Sequence, residues 1–165
     1  MALKDALMAE LQHEATLTRK MLERVPMDKK EWAPHAKSMT AGKLATHIAE
    51  TPYWIVAILG IDHFDFARDY SFSGKPASST EELVKVHETT VAQAIVALKD
   101  VDDGEFAKTW TVGRNGQVMM SLPKAVAIRG WAYNHLYHHR GQLSVYLRLL
   151  DVPVPGIYGP SADER

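Results

Sequence analysis

His135 and His139 stand four residues apart in the run Asn134-His135-Leu136-Tyr137-His138-His139-Arg140-Gly141-Gln142-Leu143. Apolar residues around them recur at helical spacing through Ile128, Trp131, Ala132, Leu143, Tyr146 and Leu150, so both histidines fall in the inward stripe of a helix. Positions i and i+4 of a helix lie one above the other on one face. Such a stripe is normally Leu, Ile and Val. Two imidazoles stacked within it call for an architecture that gives them a partner, either a metal ion or the hydrogen bonds of ordinary core histidines. His138, rotated by about 100° from His139, is expected to point elsewhere.

The rest of the chain reads as three more helices. The first runs from about Leu3 to Arg24 on Leu3, Leu7, Leu11, Leu17 and Met21, with Pro26 just beyond. The second runs from Thr40, a good N-cap, to Leu59 before Gly60, with a kink or break expected near Thr51 because Pro52 falls inside it. Ile61 to Ser78 forms a long connection. Ser79-Thr80-Glu81-Glu82 fits a capping box that opens a third helix reaching Leu98, with Leu83, Val86, Thr90, Val91, Ala94 and Leu98 inward. Thr109–Val112 and Gln117–Met120 flank Gly113-Arg114-Asn115-Gly116, and the Asn-Gly pair signals a hairpin. Ser121 then reads as the cap of a fourth helix ending near Leu150. The expectation is an all-α, four-helix-bundle domain covering residues 1–165, with a small β-hairpin-like insert before the last helix.

Several function classes are excluded. A net charge of -1 gives no basic footprint for nucleic acid or an anionic membrane. No apolar run approaches the roughly 20 residues that span a bilayer. The first residues lack the apolar core and cleavage site of a signal peptide, so a cytoplasmic protein is expected. The chain has no cysteine, which removes disulfides, thiolate ligands and a cysteine nucleophile together. Any metal must be held by nitrogen or oxygen, and the 8 histidines make imidazole the natural donor.

Two histidines rarely complete a metal site. The second helix offers a third, since His47 interrupts its stripe of Leu44, Ile48, Thr51, Ile55 and Ile58. Sites in bundle cores are built from inward side chains on facing helices. Three histidines would leave a coordination position open, the pattern of a catalytic site; a structural zinc is closed by four protein ligands. Glu50, three residues after His47, is a candidate to orient a ligand, act as a base or bind metal, against the plainer reading of a solvated carboxylate. Gln142 is placed to support His139. Gly141 costs the helix roughly 1 kcal/mol relative to Ala, which a close helix approach would explain. Arg140 reads as half of an ion pair on the bundle exterior. Trp54, Trp131, Tyr133 and Tyr137 line a pocket or pack the core. His13 reads as exposed, and His35, His63 and His87 fall in loops or on polar faces.

Leu44-Ala45-Thr46-His47-Ile48-Ala49-Glu50, followed much later by Asn134-His135-Leu136-Tyr137-His138-His139-Arg140-Gly141-Gln142-Leu143, resembles the DinB superfamily, with its YfiT-like and thiol-dependent transferase members. The resemblance covers nearly the whole chain. It implies a four-helix bundle in up-down-down-up order, a homodimer, and a divalent metal held by three histidines, which carry over onto His47, His135 and His139. Members of known activity include transferases that use low-molecular-weight thiols and a thiol-dependent isomerase. The substrate does not carry over.

Three readings follow. In the first, a metal-dependent enzyme activates a low-molecular-weight thiol for S-transfer to an electrophilic small molecule. With no cysteine in the chain, the sulfur comes from the co-substrate. In the second, a hydrolase uses metal-bound water, with Glu50 as base. In the third, the chain is a non-catalytic dimer that binds a metal or ligand. Three imidazoles suit zinc or nickel, and iron is compatible. Nucleic acid is not an expected partner, despite the DNA-damage origin of the family name, because the chain has no basic patch, zinc finger or recognition helix.

Overall fold

Leu7, Leu11, Leu17, Met21 and Leu22 bury one face of the first helix, α1 (Leu3–Leu22), against the later helices. The structure, a computed structural model, describes residues 2–70, 72 and 74–164. Ser71 and Ser73 of the long connection therefore lie outside the described residues. Thr40 caps α2 (Ala41–Glu50), its hydroxyl accepting the Lys43 N–H at 3.3 Å. The helical run expected to reach Leu59 breaks at Thr51-Pro52, where proline cannot donate to the ladder, and resumes as α3 (Tyr53–Gly60).

Ser79 caps α4 (Thr80–Asp100), accepting the Glu82 N–H at 3.2 Å. The reciprocal half of the capping box is displaced by one residue, since the Glu82 carboxylate accepts from the Ser78 N–H at 2.7 Å. Along α4 the buried line is Leu83, His87, Thr90, Ala94 and Leu98. His87, expected on a polar face, is thus a core residue whose Nε2 meets the Ala15 carbonyl at 3.1 Å.

The Asn-Gly hairpin forms as expected between β2 (Thr109–Arg114) and β3 (Gln117–Pro123), with Asn115 at φ 53 and Gly116 at φ 78. Both signs match the twist that two-residue hairpins require. The sheet also has a third strand that periodicity did not reveal. β1 (His63–Asp65) is only 3 residues long and pairs parallel with β2, His63 opposite Thr111. Asp65 fastens it, its carboxylate accepting the N–H groups of Asn115 and Gly116 at 3.0 and 2.7 Å. Ser121 is no helix cap. It lies in β3 opposite Thr111, and the helix begins only after Pro123.

From there the chain is helical without interruption as α5 (Lys124–Ile128), a π-helical turn (Arg129–Asn134) and α6 (His135–Leu149). α1 and α2 each pack against α4 and α6, and α3 packs against α4 and α5. One buried cluster joins Leu44 and Ile48 of α2 to Leu136, Leu143 and Leu147 of α6. Each such aliphatic side chain contributes about 1.5–3 kcal/mol when fully buried, as an upper estimate. A second cluster, around Trp54, Ile58, Phe64, Trp110 and Tyr133, packs the sheet onto α3 and the π turn. Tyr133 and Tyr137 are tied into the fold, donating to the Leu7 carbonyl and to Glu10, each at 2.6 Å. Among the described residues no helix is long and apolar enough to cross a membrane.

Two expectations for α6 are corrected. Arg140 is not on the exterior; it is 3% exposed and pairs with Glu14, itself buried, at 2.6 Å. Its guanidinium also donates to the Thr18 hydroxyl and the Tyr158 phenol. Gly141 faces open space, and a Cβ there would meet nothing within 4 Å, so no close helix approach accounts for it.

Candidate metal centre

The packing of Leu44 and Ile48 on Leu136 and Leu143 determines what the neighbouring positions do. It brings His47 of α2 over His135 and His139 of α6, with ring centroids 4.8 and 4.7 Å away. His135 and His139 are 4.6 Å apart by the same measure. One ring nitrogen from each residue lies within 4.8 Å of the other two. The Nε2 atoms of His47 and His135 are 3.1 Å apart. Two nitrogens bound tetrahedrally to zinc at 2.0–2.1 Å would be separated by about 3.3 Å.

The outer nitrogens explain why the inner ones converge. His135 Nδ1 donates to the Trp131 carbonyl at 3.2 Å, and His139 Nδ1 donates to the Gln142 amide oxygen at 2.7 Å. Each bond places the ring proton on Nδ1 and turns the Nε2 lone pair inward, as in metal-ligating histidines. Lone pairs facing one another across about 3 Å repel unless a proton or a cation lies between them. The donor set and its outer bonds therefore fit a divalent ion.

Sequence periodicity places both α6 histidines mid-stripe, whereas the structure puts them at its edge. The buried line of α6 is Leu136, Arg140, Leu143 and Leu147, and the two histidines are half-buried beside it. The π turn is the cause. Each π turn inserts an extra residue relative to the α-helix and rotates everything downstream by about 100°. His47 is likewise half-buried beside Leu44 and Ile48. A site at the edge of the core can be reached by a small molecule.

Burial dominates the protonation of the cluster. It pushes His47 down to about 4, with the neighbouring His135 and His139 charges adding to it. His135 and His139 are also lowered, first by burial, although their outer hydrogen bonds oppose the shift. Near neutral pH all three rings are free bases, as metal ligation requires. Because the folded values lie below the unfolded one near 6.5, the unfolded chain binds more protons as pH falls. The metal-free protein is expected to keep full stability above about pH 6.5 and to lose it progressively from there toward pH 4. Thermal melts across that range check this, and the slope should shrink in His47→Ala.

Other side chains surround the cluster. His47 and Glu50 line one small cavity with Lys43, Tyr70 and Lys75. The negative charge of Glu50 contributes to raising the Tyr70 phenol above its ordinary value, after burial. His135 lines a different, apolar cleft with Trp131 and His138, and His138 is not among the converging ring nitrogens. Trp54, buried in the core, packs on Trp131 with ring centroids 4.9 Å apart. His13 is exposed. Gln142→Ala is expected to weaken metal binding by about 10–100-fold, and Gln142→Glu to retain it, by competition with a chelator.

A family model described as the DinB family matches residues 1–165. The chain belongs to the DinB family. It is 25% identical over 166 residues to the uncharacterized protein YrdA of Bacillus subtilis strain 168, covering 97% of this chain and 90% of that one. Two solved structures share the fold. A DinB-like protein from Bacillus cereus matches with a TM-score of 0.69 at 21% identity, over 91% of this chain and 94% of that one. A DinB-like protein from Bacillus subtilis, YjoA, matches with a TM-score of 0.70 at 14% identity, over 97% and 99%.

Proposed function

We propose that this DinB-family chain is a metal-dependent enzyme in which His47, His135 and His139 hold one divalent ion, zinc or nickel, and which transfers a low-molecular-weight thiol to an electrophilic small molecule. The observation that carries the reading is the convergence of three imidazole nitrogens from two helices, two of them oriented by bonds to Trp131 and Gln142. Three protein ligands at the edge of the core leave room for an exogenous one. The bound ion supplies positive charge that favours the thiolate form of a thiol at neutral pH.

The chain's own residues supply the rest. Glu50 lies one turn along α2 from His47 and lines the same cavity, where its carboxylate accepts the thiol proton. The sulfur then bonds to the electrophilic carbon, and the leaving group departs with the electron pair of the bond that breaks. With no cysteine in the chain, no internal thiol competes for the electrophile. The same carboxylate could serve a water molecule, so a hydrolase is the second reading.

The test compares turnover of 1-chloro-2,4-dinitrobenzene with a panel of small thiols, and of a nitrophenyl ester without thiol, on zinc- and nickel-loaded protein. Thiol-dependent turnover that falls about 10²–10⁴-fold in Glu50→Gln, with metal content unchanged, supports the transferase. Thiol-independent ester cleavage with the same Glu50 dependence favours the hydrolase. Metal-loaded protein inactive in both leaves a binding protein. A homodimer is part of this proposal, and a sedimentation mass near that of the 18.4 kDa monomer would remove it.

A further inference from the structure

Two of the three histidines each line a recess, and the two recesses differ in chemistry. On the His135 side is a cleft of about 550 Å³ formed by β3, α5 and the π turn, with Met120, Leu122, Val126 and Trp131 in its walls. Met120 and Val126 are exposed, at 44% and 51%, so this cleft presents apolar surface to solvent. Its volume lies within the range of small-molecule sites, which are mostly apolar with a few polar groups. On the His47 side is a cavity of about 160 Å³ that Lys43, Lys75 and Glu50 line. The histidines that line them, His135 in one and His47 in the other, have ring nitrogens 3.1 Å apart.

We infer that the centre is served from two sides: an apolar, flat electrophile lies in the cleft between β3 and the π turn, and a compact carboxylate-bearing thiol lies in the cavity beside Lys43. This rests on the metal-site reading above and names the substrate class for each side. The size difference assigns the roles. The larger apolar cleft accommodates an aromatic body, with Trp131 as a stacking face. The smaller cavity admits only a short polar molecule, and the Lys43 ammonium attracts a carboxylate while the sulfur reaches toward His47. The reacting atoms of the two ligands then meet at the cluster, which removes the cost of a bimolecular encounter.

The test uses two probes that carry no thiol and do not react, 2-naphthol and succinate, titrated calorimetrically into zinc-loaded protein. Val126→Asp and Met120→Glu change exposed positions and leave the fold and the metal ligands intact. They are expected to weaken 2-naphthol about tenfold and to leave succinate within about twofold. Lys43→Glu is expected to do the reverse, and saturation with one probe should not displace the other. Equal effects of these variants on both probes, mutual displacement, or no binding of either probe would overturn the two-sided arrangement. A halved sedimentation mass in Val126→Asp would also overturn it, because the cleft would then be the contact with a second copy. Metal content and thiol-dependent turnover, measured on the same preparations, separate the two proposals. Stoichiometric metal and turnover with probes blind to all three variants sinks the two recesses alone. Selective probe losses in a protein that holds no metal keep the recesses and sink the metal reading.

Discussion

Protein purified without a histidine tag is expected to carry about one equivalent of divalent metal per chain, and His47→Ala and His135→Ala should each abolish it. The loss is large because a three-histidine site has no spare ligand. Removing one leaves two nitrogens, and for His47→Ala both sit on α6, so the bond between helices goes with the ion. Stability should report the same event. A ligand present at about a thousandfold over its dissociation constant raises the folding free energy by about 4 kcal/mol, which in a chain of this size moves the melting temperature by roughly 10 °C. Wild type should gain that increment from zinc or nickel, and the two variants should not. His138→Ala is the control, since its ring neighbours His139 at 4.9 Å but lies outside the converging set. A wild type that is metal-free and refuses both ions would end the catalytic-metal reading and leave a structural or binding protein.

Arg140→Met is expected to cost about 3–5 kcal/mol. Arg140 and Glu14 have side chains 3% and 7% exposed, and their ion pair is joined by Thr18 and Tyr158. Removing the guanidinium leaves a carboxylate in the contact between α1 and α6 with, among the described residues, only the Tyr158 hydroxyl donating to it. The penalty comes from that stranded charge more than from the lost attraction. The double variant Glu14→Leu, Arg140→Met should therefore be more stable than Arg140→Met alone, because no charge is left buried. Urea melts of the two variants decide it. A double variant no better than the single one would show that the geometry of the pair, and not desolvation, holds these helices.

Much of the helical frame is legible in the sequence, and the reasons are local. Thr40 and Ser79 cap the helices they precede, and Asn115-Gly116 turns the hairpin, because each depends on a few neighbouring residues. β1 is not legible, since 3 residues carry no period and its partner strand lies far along the chain. Ser121 misleads because a serine before an apolar helix looks like a cap whether it belongs to the helix or to the last strand. The candidate cluster reads off as three interruptions of apolar stripes, and the structure brings those three residues together. The same signal marks Glu14, which sits between Leu11 and Thr18 on the buried face of α1, and Arg140 on that of α6. Charge invites an exterior reading, and only the pairing of α1 with α6 reveals the ion pair. The depth of the histidines is also hidden, because a helical wheel drawn at one fixed pitch cannot register the π turn.

That turn has a consequence for how this chain can change. Removing a single residue between Arg129 and Asn134 would restore one α-helical pitch and rotate all of α6 by about 100°. His135, His139 and Gln142 would leave the edge, and Arg140 would swing out of its contact with Glu14, in one step. The α6 ligands, Gln142 and the buried ion pair are thus phased together by six residues that include none of them, although one of the six, Trp131, supplies the carbonyl that orients His135. Variation in the depth of the centre cannot be tuned one side chain at a time; it comes as a one-residue insertion or deletion, with stability and chemistry changing together.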